Sequence, residues 1–114
     1  MKAQVLKKKG NLWILFNGKE YVVGLTKEAS EELGKITFAA LPKIGQKMTV
    51  GEMLVELEAE KAVSEFTCPL AGVVSSINEQ IDAKENALNE EEDDEMNDWL
   101  VSLKDVDPAD FEKL

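Results

Sequence analysis

Short apolar and β-branched runs alternate with polar punctuation along this chain, and few stretches keep a helical period. Residues 12–16 and 20–25 are rich in Leu, Ile, Val and aromatic side chains and flank Asn17-Gly18. That dipeptide suits a type I′ turn, so the segment predicts a β-hairpin. The hydroxyl of Thr26 can then accept an orphan backbone N–H, Glu28 falls near the positive end of a helix dipole, and Gly34 can act as a left-handed stop. Together they predict a short helix over 26–33. Residues 35–41 read as a strand ended by Pro42-Lys43-Ile44-Gly45, and Gly51 marks another turn. Two further strands, 53–58 and 62–67, leave Ala59-Glu60-Lys61 at the tip of a hairpin.

After Pro69-Leu70-Ala71-Gly72 a strand is predicted over 73–77, so that Pro-x-x-Gly turns stand on both sides of the lysine hairpin and hint at an internal pseudo-repeat. Residues 78–88 fit either a short helix or an irregular loop. The block Glu90-Glu91-Glu92-Asp93-Asp94-Glu95 repels itself and predicts an exposed, mobile connection. Residues 99–103 return to a strand, and Asp107-Pro108 opens a final short helix with aspartate as N-cap and proline at the first helical position. Many short strands at close spacing with brief helices predict a mainly β fold, a small barrel or sandwich with the helices at its periphery.

Composition bounds the function. A chain of 114 residues with 44% apolar and 32% charged residues suits one folded domain over 1–114. A net charge of −10 repels phosphate backbones and anionic headgroups, and Lys7-Lys8-Lys9 is too short to form a basic groove, so neither nucleic acid nor a membrane surface is the expected partner. An acidic surface favours encounters with basic patches on other proteins, although solubility alone accounts for many such charges. Cys68 is the only cysteine, which excludes an internal disulfide and fits a reducing compartment. Met1 to Gly10 has no apolar segment after its lysines and no stretch approaches the roughly 18 apolar residues of a span, so a cytoplasmic protein is expected. With no histidine, the usual imidazole catalysis, histidine triads and His-ligated metals are excluded. No Asp or Glu stands in a recognisable catalytic pattern either. Any reactive chemistry is therefore expected to belong to an attached group.

Lys61 is the candidate attachment point. An amide-linked prosthetic arm needs an amine that projects from a rigid tip, so that a partner enzyme can grip the fold while the nitrogen enters its active site. Taken alone, an exposed lysine in an acidic turn is commonplace. The surrounding residues change that reading. Glu58-Ala59-Glu60-Lys61-Ala62-Val63-Ser64, followed by Pro69 and Gly72, resembles the lipoylation segment of glycine cleavage H proteins, with a glutamate three residues before the modified lysine and a glycine eleven after it. The likeness runs back through Trp13, Gly18, Gly24-Leu25-Thr26, Ala29 and Leu33-Gly34, through Leu41-Pro42 and Gly45, and ends at Trp99-Leu100.

The resemblance implies a flattened barrel-sandwich hybrid of the lipoyl-domain type, with lipoate bound covalently as N6-lipoyllysine at Lys61. It implies that Glu58 and Gly72 are read by the lipoate-attaching enzymes. Biotin carriers resemble this fold too but normally flank their lysine with methionines, where this chain has Glu60 and Ala62. A protein of this family is a non-catalytic carrier: it takes an aminomethyl group from a pyridoxal-phosphate glycine decarboxylase to an aminomethyltransferase, and dihydrolipoyl dehydrogenase reoxidises the arm. The family's His-Glu-Trp tripeptide is replaced by Asn11-Leu12-Trp13, and the Pro-Tyr-Gly turn before the C-terminal tryptophan by the acidic block and Met96-Asn97-Asp98. Two alternatives therefore stay open. One is an H-like lipoyl relay, donor or redox-signalling target of the kind found in bacteria alongside sirtuin-type ADP-ribosyltransferases and macrodomain proteins. The other is an unmodified β-domain for protein–protein contact.

Overall fold

The computed structural model describes residues 5–79, 81 and 98–114. Among the described residues nine strands and two helices follow one another as β1 (Val5–Lys9), β2 (Leu12–Phe16), β3 (Tyr21–Leu25), α1 (Lys27–Leu33), β4 (Ile36–Ala40), β5 (Lys47–Met48), β6 (Met53–Ala59), β7 (Val63–Thr67), β8 (Gly72–Ile77), β9 (Trp99–Lys104) and α2 (Pro108–Glu112). They form a six-stranded sheet in the order β1-β2-β3-β9-β8-β5 and a three-stranded sheet in the order β4-β6-β7. The mainly β expectation holds, and of the two architectures left open the chain takes stacked sheets rather than a closed barrel.

Alternation along the strands supplies the core. Leu12, Ile14, Tyr21, Val23 and Leu25 from the first hairpin meet Leu54, Leu57 and Phe66 from the small sheet and Val74, Val101 and Leu103 from β8 and β9. At the end of the first hairpin Phe16, Tyr21 and Phe111 form an aromatic cluster, with ring centroids 4.7 Å (Phe16–Tyr21) and 5.0 Å (Tyr21–Phe111) apart. That cluster anchors α2, whose N-cap Asp107 accepts from the Ala109 N–H as its sequence predicts. Trp13 lies fully buried against Gly24, where a Cβ would run into the indole ring.

Three local features differ from the sequence reading. The turn of the first hairpin is not a two-residue type I′ turn, because Phe16 pairs with Tyr21 across a four-residue loop. Asn17 Oδ1 accepts from the N–H groups of Lys19 and Glu20, so the asparagine side chain closes the loop and Gly18, at φ 97°, provides one positive-φ step. Residues 5–9, for which the sequence predicts no element, form the edge strand β1. Its lysines suit an unpaired edge, and Lys7 Nζ lies 4.9 Å from the centroid of the Phe111 ring while donating to Phe111 O. The two-residue β5 was also missed. It pairs Lys47 with Val73 and Met48 with Gly72, so the segments that follow the two Pro-x-x-Gly turns run antiparallel, as a local two-fold would set them. The predicted acidic connection at 90–95 lies outside the described residues, as does all of 78–88 except 78, 79 and 81.

Candidate functional site

Lys61 occupies the turn between β6 and β7, and its side chain is exposed as expected. The turn is closed by the Ala59 N–H donating to Ala62 O at 3.0 Å. The hairpin does not stand free, however. The Lys61 N–H donates to Leu33 O and the Glu60 N–H to Lys35 O, each at 3.0 Å, while Glu60 Oε1 accepts from the Lys35 N–H at 3.2 Å. Lys61 Nζ reaches Glu31 O at 3.1 Å. The tip is thus laced to the end of α1 and the residues just after it.

Those bonds also solve a problem for the helix. The last carbonyls of a helix have no partner within it, and its C-terminal end carries partial negative charge. α1 has no basic residue in its last turn. Lys61 supplies one from another element, its backbone N–H satisfying Leu33 O and its ammonium satisfying Glu31 O. Gly34 makes the close approach possible at φ 78° and ψ −149°, a region open essentially to glycine alone. A Cβ there would come within 3.1 Å of Glu60 Oε1 and 3.4 Å of Lys61 Cε. The predicted helix stop is correct in residue and in the sign of φ, but its ψ places it outside the ordinary left-handed helical region.

Glu58 is exposed near the end of β6, and its carbonyl accepts from Thr37 Oγ1 at 3.1 Å. Thr37 is the extra residue of a bulge: Ile36 pairs with Ala59 and Phe38 with Glu58. Lys61 and Glu58 are therefore brought together at one end of the small sheet. Gly72 is not. It opens β8, beyond the other end of β7, where a Cβ would meet Val106 Cγ2 at 2.7 Å and Lys104 O at 2.9 Å. Close packing of two backbones explains why that position needs glycine.

Thr26 and Ser30 fix the rest of α1. Thr26 Oγ1 accepts from the Ala29 N–H at 3.2 Å, and Ser30 Oγ donates to Asp98 Oδ2 at 2.8 Å, which ties the helix to the start of β9. Sequence reasoning found the N-cap but not the use of the helix's C-terminal carbonyls, which carry no side-chain signature. Cys68 is buried, its Sγ donating to Leu70 O at 3.0 Å, and burial pushes the thiol pKa up. That is the setting of an inert structural cysteine. On the six-stranded sheet, away from the small sheet that carries Lys61, a groove of about 520 Å³ is walled by Trp13, Leu15, Val22 and Trp99. Beside it Glu20 Oε1 accepts from Ser75 Oγ at 2.7 Å and from Ser102 Oγ at 2.9 Å, bonds that hold the carboxyl below its ordinary pKa.

A family model described as glycine cleavage H-protein matches residues 5–114. The glycine cleavage system H proteins of Listeria monocytogenes and Thermotoga maritima are 32% and 30% identical to the chain over 102 residues, which is 90% of this chain and 80% and 81% of theirs. That of Legionella pneumophila is 35% identical over the same length, covering 80% of the relative. The crystal structure of a glycine cleavage system H protein from Mycobacterium marinum superposes with a TM-score of 0.73 at 26% identity, covering 87% of this chain and 81% of that one. With the match running from the first described strand to the last residue, the chain belongs to the glycine cleavage H-protein family.

Proposed function

We propose that this chain is a non-catalytic lipoyl carrier, with Lys61 as the acylated residue, and that it serves the cytoplasmic glycine cleavage system. The observation that supports this reading is an exposed amine on a hairpin tip whose backbone is held by a second element. The geometry fits the group: among the described residues the lysine Nζ is bonded to a helix-end carbonyl at the surface, a contact an enzyme can take it from without breaking a buried one.

During attachment Lys61 Nζ loses its proton, attacks an activated acyl carbonyl and forms an amide C–N bond as the activating group leaves. A cation becomes a neutral amide, which keeps one N–H able to donate to Glu31 O. Attached there, a lipoyl group supplies a disulfide able to take up and return a one-carbon amine unit. The chain's residues do the rest. Leu33 O and Lys35 O hold the tip backbone, and the exposed Glu58 offers a charge for recognition by the attaching enzyme. Gly72 takes part in that recognition through the framework it lets pack. Tethering gives the arm a high effective concentration at each enzyme visited. The partners of this reading are the lipoate-attaching enzymes, the pyridoxal-phosphate glycine decarboxylase, the aminomethyltransferase and dihydrolipoyl dehydrogenase.

The test is exchange of labelled bicarbonate into the glycine carboxyl, with lipoylated protein and the decarboxylating enzyme. Exchange that depends on the lipoylated chain is expected. Absence of exchange by a fully lipoylated chain would contradict service in glycine cleavage and favour a lipoyl relay. Glu58→Ala is expected to slow attachment several-fold, read as the initial rate of mass gain, and unchanged kinetics would remove Glu58 from recognition.

A further inference from the structure

The solvent face of the three-stranded sheet is unusual beside the lysine tip. Strand register sets Phe38, Glu58 and Val63 directly opposite one another on β4, β6 and β7. Phe38 is 50% and Val63 62% exposed, so two large apolar side chains flank the carboxylate in one cross-strand row. Val63 lies two residues from the acceptor lysine and Glu58 three. The next row sets Ala40, Glu56 and Glu65 in line, with two glutamates directly opposite across the strands. Facing like charges destabilise a sheet, and exposed Phe and Val gain nothing from water. Neither row is what folding alone would select.

We infer that this face is the docking surface for the enzyme that acylates Lys61, and that Phe38 and Val63 are its apolar anchors. The inference rests on the carrier reading above and names the surface through which it operates. Continuity argues for this occupant, because an enzyme that closes on Lys61 Nζ must cover the end of the sheet from which the tip projects. Charge argues for its chemistry: Glu56, Glu58 and Glu65 call for a shallow apolar recess with lysine or arginine residues at its rim. In such a contact the two apolar side chains bury their exposed area at the centre while the carboxylates set orientation and approach rate.

The experiment uses the full-length unmodified chain with a lipoate–protein ligase, ATP and lipoate, reading KM and kcat for acylation and, separately, the Kd of the unmodified chain for the ligase. The double variant Phe38→Ala/Val63→Ser is expected to raise both KM and Kd by about tenfold with kcat within about twofold of wild type. Val63→Ser alone, at a position too exposed to matter for folding, is expected to raise them about threefold. Val50→Ser is the control. It alters an equally exposed valine before the start of β6, about 20 Å from the tip at the rise of a β-strand, and leaves both constants unchanged. Added salt is expected to raise KM for the wild type. A wild-type KM and Kd in Val63→Ser, or an equal loss in Val50→Ser, would overturn the docking face while leaving acylation of Lys61 intact. Failure of the wild-type chain to be acylated at Lys61 would instead remove the carrier reading beneath it.

Discussion

Gly34→Ala tests how the tip is held. At φ 78° and ψ −149° the backbone of residue 34 sits where only glycine is at ease, and an alanine forced there costs about 1–3 kcal/mol. The steric part is smaller, because the atoms nearest a new Cβ are the ends of the Glu60 and Lys61 side chains, which can swing aside. Alanine also has less freedom to lose on folding, which returns roughly 0.4–1 kcal/mol. The net is a loss of about 1–2 kcal/mol. With an unfolding entropy of roughly 2.1 cal/mol/K per residue over 114 residues, the melting temperature should fall by about 4–8 °C. If the backbone relaxes instead, the carbonyls of Leu33 and Lys35 turn away from the tip amides, and acylation of Lys61 slows. Gly51→Ala separates the two effects. Gly51 has φ 93° with open space around it, in the turn before β6, so it should lose comparable stability and keep wild-type acylation. Melting by circular dichroism and initial acylation rates measure both. A wild-type melting temperature for Gly34→Ala, or equal acylation rates for the two variants, would refute the reasoning.

Lys61→Arg should abolish mass gain with lipoate and a ligase yet melt within about 1 °C of wild type, since the exposed guanidinium can still reach the helix carbonyl; a mass gain like that of wild type would contradict the assignment. Thr26→Ala removes the acceptor for the Ala29 N–H and should cost about 1 kcal/mol in denaturant unfolding, an unchanged midpoint counting against the cap. Glu20 titrates lower in the folded state than unfolded, through hydrogen bonds from Ser75 and then Ser102. Its ionised form therefore contributes stability that is present above the unfolded value of about 4.3 and is lost as pH falls through the folded pKa. The gap in melting temperature between wild type and Glu20→Gln should shrink as pH is lowered from 7 toward 3, whereas a gap that stays constant would contradict it.

Most strands and both helices could be read from the sequence because alternation and caps are local signals. Asn17-Gly18 misled because the asparagine side chain closes the loop itself, which makes a longer connection as acceptable as the two-residue turn its dipeptide suggests. β1 was hidden by composition: three successive lysines break the alternation, and an edge strand with one neighbour needs no regular apolar face. β5 is too short to carry a period. Lys61 is singled out as the proposed acceptor by the family pattern around it and not by periodicity. What supports it was not legible, because Glu31 O, Leu33 O and Lys35 O are backbone atoms 26 to 30 residues upstream, and any residue has a carbonyl. Phe38 and Val63 look like ordinary strand residues until the bulge at Thr37 sets Phe38 opposite Glu58 and the β6–β7 register sets Val63 on its other side.

The central claim, that Lys61 is the single acceptor, is tested most directly by intact mass and peptide mapping after incubation of the purified chain with lipoate, ATP and a lipoate–protein ligase. One lipoyl group per chain, located on the peptide containing Lys61, is predicted. No gain in mass, or a gain mapped to another lysine, would contradict the account.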